Sequence, residues 1–202
     1  MIIEQPTSLL RWLYPRAEWR MDASQRKVFL TFDDGPIPEA TPWVLETLRR
    51  YDAKATFFMV GDNVRKHPEV FRQVLAEGHR VGNHTYNHLG SLRHDTEEYV
   101  ENVMRADELI QSELFRPPHG WLRRSAYRTL AQRYRIIMWD LVTRDYSRRI
   151  TAEDIYENVR RYARNGSIIT FHDSLKSIEK LREALPRSLS WLKQQGYAFE
   201  LL

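Results

Sequence analysis

The sequence predicts an α/β fold built on a parallel sheet, and three observations support it. Apolar, β-branched runs recur along the chain, among them 28–32 (VFLTF), 55–60 (ATFFMV), 136–141 (IIMWDL) and 167–171 (SIITF). Stretches with helical spacing of apolar residues lie between them. The alternation of the two is regular, which demands parallel pairing through right-handed crossovers. A closed barrel and an open doubly wound sheet both satisfy that demand, and in both the ligands gather at the carboxyl ends of the strands.

The first strand, Val28 to Phe32, runs into Asp33-Asp34-Gly35-Pro36. Thr41-Pro42 reads as N-cap and first position of a helix carrying Val44, Leu48 and Tyr51. After the second strand, Ala55 to Val60, His67-Pro68 opens a helix with Val70, Phe71, Val74 and Leu75 inward; there His67 reads as a cap and Gly78 as the stop. Arg80 to Asn83 is a short third strand leading to His84 and His88. A helix over Thr96 to Ser112 carries Tyr99, Val103, Ala106 and Ile110, and a fourth strand, Leu114 to Arg116, ends in Pro117-Pro118. A helix over Arg124 to Tyr134 precedes the fifth strand, Ile136 to Leu141. Thr151 and Asp154 form a capping box for the next helix, closed by Asn165-Gly166 before the sixth strand. The last helix, with Ile178, Leu181, Leu185, Leu189 and Leu192, is expected to kink at Pro186, and Tyr197 to Leu201 closes the chain. The expectation is seven strands with six intervening helices.

At 202 residues, with no low-complexity stretch or linker, the chain reads as a single domain over residues 1–202. It has no cysteine, so a metal must be held by His, Asp or Glu. The net charge of +4 is spread over separated Arg pairs rather than one basic run, which argues against a nucleic-acid partner. No stretch reaches the roughly 18 apolar residues of a membrane span. The first residues lack the pattern of a secretory leader. That places the protein in the cytoplasm if its start is native, or outside the cell if a leader was trimmed.

The residues hardest to explain as packing fall at the strand ends: Asp33 and Asp34, His84 and His88, Arg116, Asp145, and His172 with Asp173. Two like charges at the end of a buried strand need a metal ion, another cation or a shared proton to offset them. His84, His88 and one of the two aspartates make a two-histidine, one-carboxylate set suited to a catalytic divalent metal. The other aspartate is left as a base, and Arg116 can offset its charge. His67, His79 and His94 read as structural or surface residues. Trp139 reads as core within the fifth strand, and Trp121, after the proline turn, as a groove residue.

Taken in order, TFDDGP (31–36), HTYNH (84–88), RPPHG (116–120), Asp145-Tyr146 and ITFHD (169–173) closely resemble the polysaccharide deacetylases of the NodB-homology family, carbohydrate esterase family 4. The resemblance implies a distorted (β/α)7 barrel and a hydrolase that removes acetyl groups from N-acetylated carbohydrates with a divalent metal. Zn²⁺ is the first candidate, with Co²⁺, Ni²⁺, Mn²⁺ or Fe²⁺ also compatible. It implies Asp33 as catalytic base, Asp34, His84 and His88 as metal ligands, and Arg116 as the residue holding the base. His172 would be the general acid, tuned by Asp145.

The chain departs from the family at the substrate groove. His119 stands where Tyr is usual, its backbone N–H being the part expected to serve the oxyanion. Tyr146 replaces a Trp, Val142 an Asp, and Thr170 a Leu of the acetyl pocket. These changes bear on the substrate more than on the chemistry. They leave a small N- or O-acyl compound as an alternative substrate, and a non-catalytic carbohydrate-binding relic as an alternative role.

Overall fold

The computed structural model describes residues 4–202; Met1 to Ile3, the first residues of the 1–202 domain reading, lie outside the described residues. In chain order the elements are α1 (Ser8–Leu13), β1 (Lys27–Asp33), α2 (Thr41–Arg50), β2 (Ala55–Met59), α3 (Gly61–Lys66), α4 (Pro68–Ala76), β3 (Arg80–Asn83), α5 (Thr96–Ile110), β4 (Leu114–Phe115), α6 (Arg124–Leu130), β5 (Arg135–Ile136), β6 (Leu141–Val142), α7 (Ala152–Tyr162), β7 (Ser167–His172), α8 (Ile178–Gln194) and β8 (Ala198–Phe199). The strands lie in the order β5-β4-β3-β2-β1-β7-β6, and β8 pairs with the start of β1. Every strand pairing is parallel, as the crossover argument requires.

The sheet curls into a distorted barrel, and its seam corrects one sequence expectation. The run at 136–141 is not one strand. Its start pairs with β4 and its end with β7, so one stretch spans both edges of the sheet. Between these halves Glu18 takes over the backbone bonds: its N–H donates to Ile136 O (2.8 Å) and its carbonyl accepts from Met138 N–H (2.8 Å). Arg20 then bridges to Ser167 at the start of β7. Trp139, expected in the core, is consequently only half-buried; it stacks edge-on against Trp19 and faces the cleft described below.

Strand alternation decides what faces inward. Phe32, Phe57 and Phe171 share one register across β2, β1 and β7 and stack at 5.1 and 5.5 Å on one side of the sheet. They sit in the main apolar core with Val44 and Leu48 of α2 and Leu181, Leu185 and Leu189 of α8. Their neighbours therefore face the other way: Thr31 and Asp33 of β1 lie beside Thr170 and His172 of β7. Truncating a buried Phe such as Phe32 to Ala would cost about 3–5 kcal/mol.

Smaller expectations also change. The helix after β1 has Ala40 rather than Thr41 at its N-cap, because the Thr41 hydroxyl is committed to Asp173. His67 occupies the N-cap of α4 but makes no capping bond. Pro186 lies inside α8, which remains a single helix assignment from Ile178 to Gln194. The Thr151–Asp154 capping box forms as read. His79 is structural, its Nδ1 accepting from Ala55 N–H (3.1 Å), and His94 pairs with Glu98 at the surface.

Candidate active site

The strand ends open onto a cleft of about 550 Å³ lined by Asp33, Asp34, His84, His88, Arg116, His119, Trp121, Tyr146, Thr170 and His172. Asp145 sits behind His172, fully buried. The structure thus brings together every site residue expected from the sequence. Among the described residues, seven non-glycine positions have positive φ, and five of them, Asp34, Thr85, His88, His119 and Arg144, lie in or directly beside this site. Such conformations cost energy and persist where the surroundings enforce them. Here Asn63 Nδ2 donates to Asp34 O (2.8 Å), and Thr85 is fixed by Asn83 Oδ1 on its N–H and by Leu89 N–H on its hydroxyl.

Asp33 and Arg116 form one buried unit. Arg116 Nη1 donates to Asp33 Oδ1 (2.6 Å) and to Thr31 Oγ1 (2.8 Å), while Nη2 donates to Met138 O (2.8 Å). The guanidinium stands over the Phe58 ring at 4.1 Å and is 2% exposed. An arginine so enclosed supplies the counter-charge without which a buried carboxylate would be strongly disfavoured.

Asp34, His84 and His88 form a second unit. Each offers one ligand atom, and the three atoms lie within 4.8 Å of one another. His84 Nδ1 lies 2.8 Å from Arg116 O, an acceptor only, so Nδ1 carries the proton. Burial holds this ring neutral, its pKa down to about 4. Its Nε2 therefore presents a lone pair, and it faces Asp34 Oδ1 at 3.8 Å; His88 Nε2 faces the same oxygen at 3.3 Å. Asp34 Oδ1 is buried without a hydrogen-bond partner. A lone pair opposite an unsatisfied carboxylate oxygen is an arrangement a cation resolves. Donors bound about 2.0–2.1 Å from one tetrahedral centre would stand roughly 3.3 Å apart, so the residues fit a divalent ion.

The third unit is His172 with Asp145. Asp145 Oδ1 accepts from His172 Nδ1 (2.7 Å), and its Oδ2 accepts from the His172 backbone N–H (2.7 Å). Burial alone would lower the imidazole pKa, but the Asp145 charge and hydrogen bond, helped by Asp34 and Asp33, bring it up to about 9. Tyr146 packs edge-on against this ring at 4.7 Å. His119 stands edge-on to His88 at 4.8 Å, Trp121 is 44% exposed on the cleft wall, and Thr170 Oγ1 lies 3.2 Å from Thr31 Oγ1.

Sequence reasoning left Asp173 unassigned. It is fully buried, and its carboxylate accepts from Gly35 N–H (3.1 Å) and Thr41 Oγ1 (2.5 Å). A Cβ on Gly35 would lie 2.1 Å from Asp173 Oδ2, so glycine is required there by contact. Asp173 braces the turn that carries Asp33 and Asp34, and its place directly after His172 was the available signal. The segment at 4–13, which also borders the cleft, carried no comparable signal.

A family model described as polysaccharide deacetylase matches residues 20–136. A peptidoglycan-N-acetylglucosamine deacetylase of Bacillus cereus is 34% identical over 96% of this chain and 92% of its own length. A chitooligosaccharide deacetylase of Rhizobium leguminosarum is 34% identical over 75% of this chain and 73% of its own. Among solved structures, a peptidoglycan N-acetylglucosamine deacetylase crystallised with an N-hydroxybenzamide superposes with a TM-score of 0.88 at 29% identity, covering 95% of this chain and 94% of that one. A family 4 pseudoenzyme from Bacillus anthracis is also similar, with a TM-score of 0.80 and 26% identity over 90% of this chain and 65% of that one.

Proposed function

This chain belongs to the polysaccharide deacetylase family, carbohydrate esterase family 4, and on that premise we propose that it is a metal-dependent hydrolase releasing acetate from N-acetylated amino sugars of an oligosaccharide or polysaccharide. The observation that carries the reading is the convergence of three separately braced units, Asp33–Arg116, Asp34–His84–His88 and His172–Asp145, on one cleft. Relatives named for peptidoglycan and chito-oligosaccharide deacetylation support the substrate class.

Asp34, His84 and His88 would hold the ion, Zn²⁺ first among the candidates. The chemistry such an ion supplies is polarisation of the acetamide carbonyl and acidification of a water molecule. Asp33, fixed at Oδ1 by Arg116, takes the proton of the attacking water on its other oxygen. His172 Nδ1 is committed to Asp145, which leaves Nε2 to deliver a proton to the departing amine. The His119 backbone N–H, in the left-handed turn at 118–120, is assigned to the developing oxyanion. Atoms balance as water adds to the acyl carbon, the C–N bond breaks, and acetate and a free amine leave.

Because each unit is intact, a catalytic role is favoured over a binding relic. The test is acetate release from chito-oligosaccharides, peptidoglycan fragments and simple acetyl esters by the wild type, Asp33→Asn and His84→Ala. Each variant is expected to lose on the order of a hundredfold or more in turnover. Near-normal release from either would refute its assigned role.

A further inference from the structure

The segment ahead of β1 is built into the cleft. Gln5, Pro6, Thr7, Leu9, Leu10 and Leu13 form one of its walls, together with Trp121 and Trp139. This arm is fixed at several points. Glu4 O accepts from Val142 N–H (2.8 Å), and Glu4 Oε1 pairs with Arg144 Nη1 (2.7 Å). Arg11 Nη2 reaches the fully buried Asp140 at 2.9 Å, and Tyr14 OH both donates to Leu122 O (2.8 Å) and accepts from Leu122 N–H (3.0 Å). Thr7 caps α1 through Leu10 N–H. Leu10 and Leu13 rest on an apolar cluster that includes Tyr14, Trp19, Tyr99 and Phe115, whereas Leu9 is 66% exposed and has no such packing role. An exposed aliphatic side chain that lines the same cleft as two indoles adds to an apolar surface that a ligand in the cleft would cover.

We infer that the arm at 4–13 forms an apolar subsite, and that the preferred substrate carries an alkyl, acyl or aryl substituent on or next to the acetylated sugar. Leu9 is then a specificity-determining residue. The inference rests on the deacetylase reading for its chemistry, but the contact itself is a matter of binding. Gln5 and Thr7 of the same wall can meet sugar hydroxyls, but Leu9 offers them no partner, whereas a hydrocarbon chain would bury apolar surface against it.

Binding and turnover separate the two claims. Affinities of octyl and methyl β-N-acetylglucosaminide, below the micelle-forming concentration of the former, are measured by calorimetry for the wild type, Leu9→Asn and the control Leu92→Asn. Leu92 is likewise exposed but lies off the cleft. The octyl glycoside is expected to bind wild type about tenfold more tightly than the methyl glycoside. Leu9→Asn should remove most of that preference and Leu92→Asn none, with the same ordering in KM and kcat within about twofold. Equal affinities in the wild type, or a preference untouched by Leu9→Asn, would overturn the subsite. Octyl preference lost in Leu9→Asn, in a wild type that releases no acetate from any N-acetylated sugar, would sustain the subsite and sink the hydrolase reading.

Discussion

Replacing Asp145 by asparagine removes the charge that keeps His172 protonated while leaving an oxygen of nearly the same position and size. His172 titrates at about 9 against an ordinary 6.5. At about 1.36 kcal/mol per pKa unit, the folded site favours the imidazolium by on the order of 3 kcal/mol. In the variant, burial is no longer opposed by this neighbour, and the pKa should fall to about 6.5 or below. At pH 8 the protonated fraction in the ion-free protein would drop from about nine in ten to about three in a hundred, which sets an upper limit of about thirtyfold on the loss of turnover. The assay is kcat for acetate release across pH 5.5–10 with the ion-loaded protein. The wild-type basic limb should lie above 6.5 but below 9, because an ion at Asp34 offsets that carboxylate's help, and that of Asp145→Asn should lie at least about one pH unit lower. Stability should follow the same group: the imidazolium's contribution is complete below the unfolded value near 6.5 and is lost as pH rises through about 9. Thermal melts of the wild type should therefore weaken across that window, and those of the variant much less. A basic limb that does not move in Asp145→Asn would refute the reasoning.

Removing the guanidinium with Arg116→Met leaves Asp33 buried without its counter-charge, a loss of about 3–5 kcal/mol, visible by calorimetry as a Tm lower by roughly 10 °C; a fall under about 2 °C would count against the ion pair. Titrating Zn²⁺ into chelator-treated protein should stabilise the fold in proportion to the logarithm of free metal, by about 4 kcal/mol at a thousand times Kd, read as a rise in Tm. His84→Ala should abolish that rise and leave the far-ultraviolet circular dichroism unchanged, whereas an unaltered rise would show that the ion binds elsewhere.

The site was legible where chemistry coincides with local pattern. Asp33 and Asp34 end an apolar run, His84 and His88 follow another, and their spacing constrains them to one loop. Strand alternation then fixes the inward face, so Thr31, Asp33, Thr170 and His172 could be placed from their registers. What was not legible depends on partners far away in sequence. The run at 136–141 has the composition of one strand, but Glu18, more than a hundred residues earlier, claims its middle. Trp139 reaches the cleft wall for that reason. The arm shows the same limit: Leu9 lies on a six-residue helix, too short to reveal a face by periodicity, and its position depends on the Arg11–Asp140 contact 129 residues away in the chain. Asp173 was visible beside His172, but its bonds to Gly35 and Thr41 join residues 138 and 132 positions apart in the chain.

The seam at Glu18 and Arg20 has a consequence for how the chain acquires its shape. The segment that seals the barrel is synthesised first, while the backbone it pairs with, Ile136 to Met138 and Gly166 to Ser167, is made more than a hundred residues later. It must wait, unpaired, until residues 136–138 and 166–167 have been made, and its docking then closes a loop of more than a hundred residues. Residues after β1 can organise around Phe32 and Phe57 without it. The cleft wall at 4–13 cannot, because it hangs from Asp140, Val142 and Arg144, and the turn bearing Asp33 and Asp34 waits later still for Asp173, so a nascent chain has neither a complete groove nor a braced carboxylate pair until residue 173 has been made.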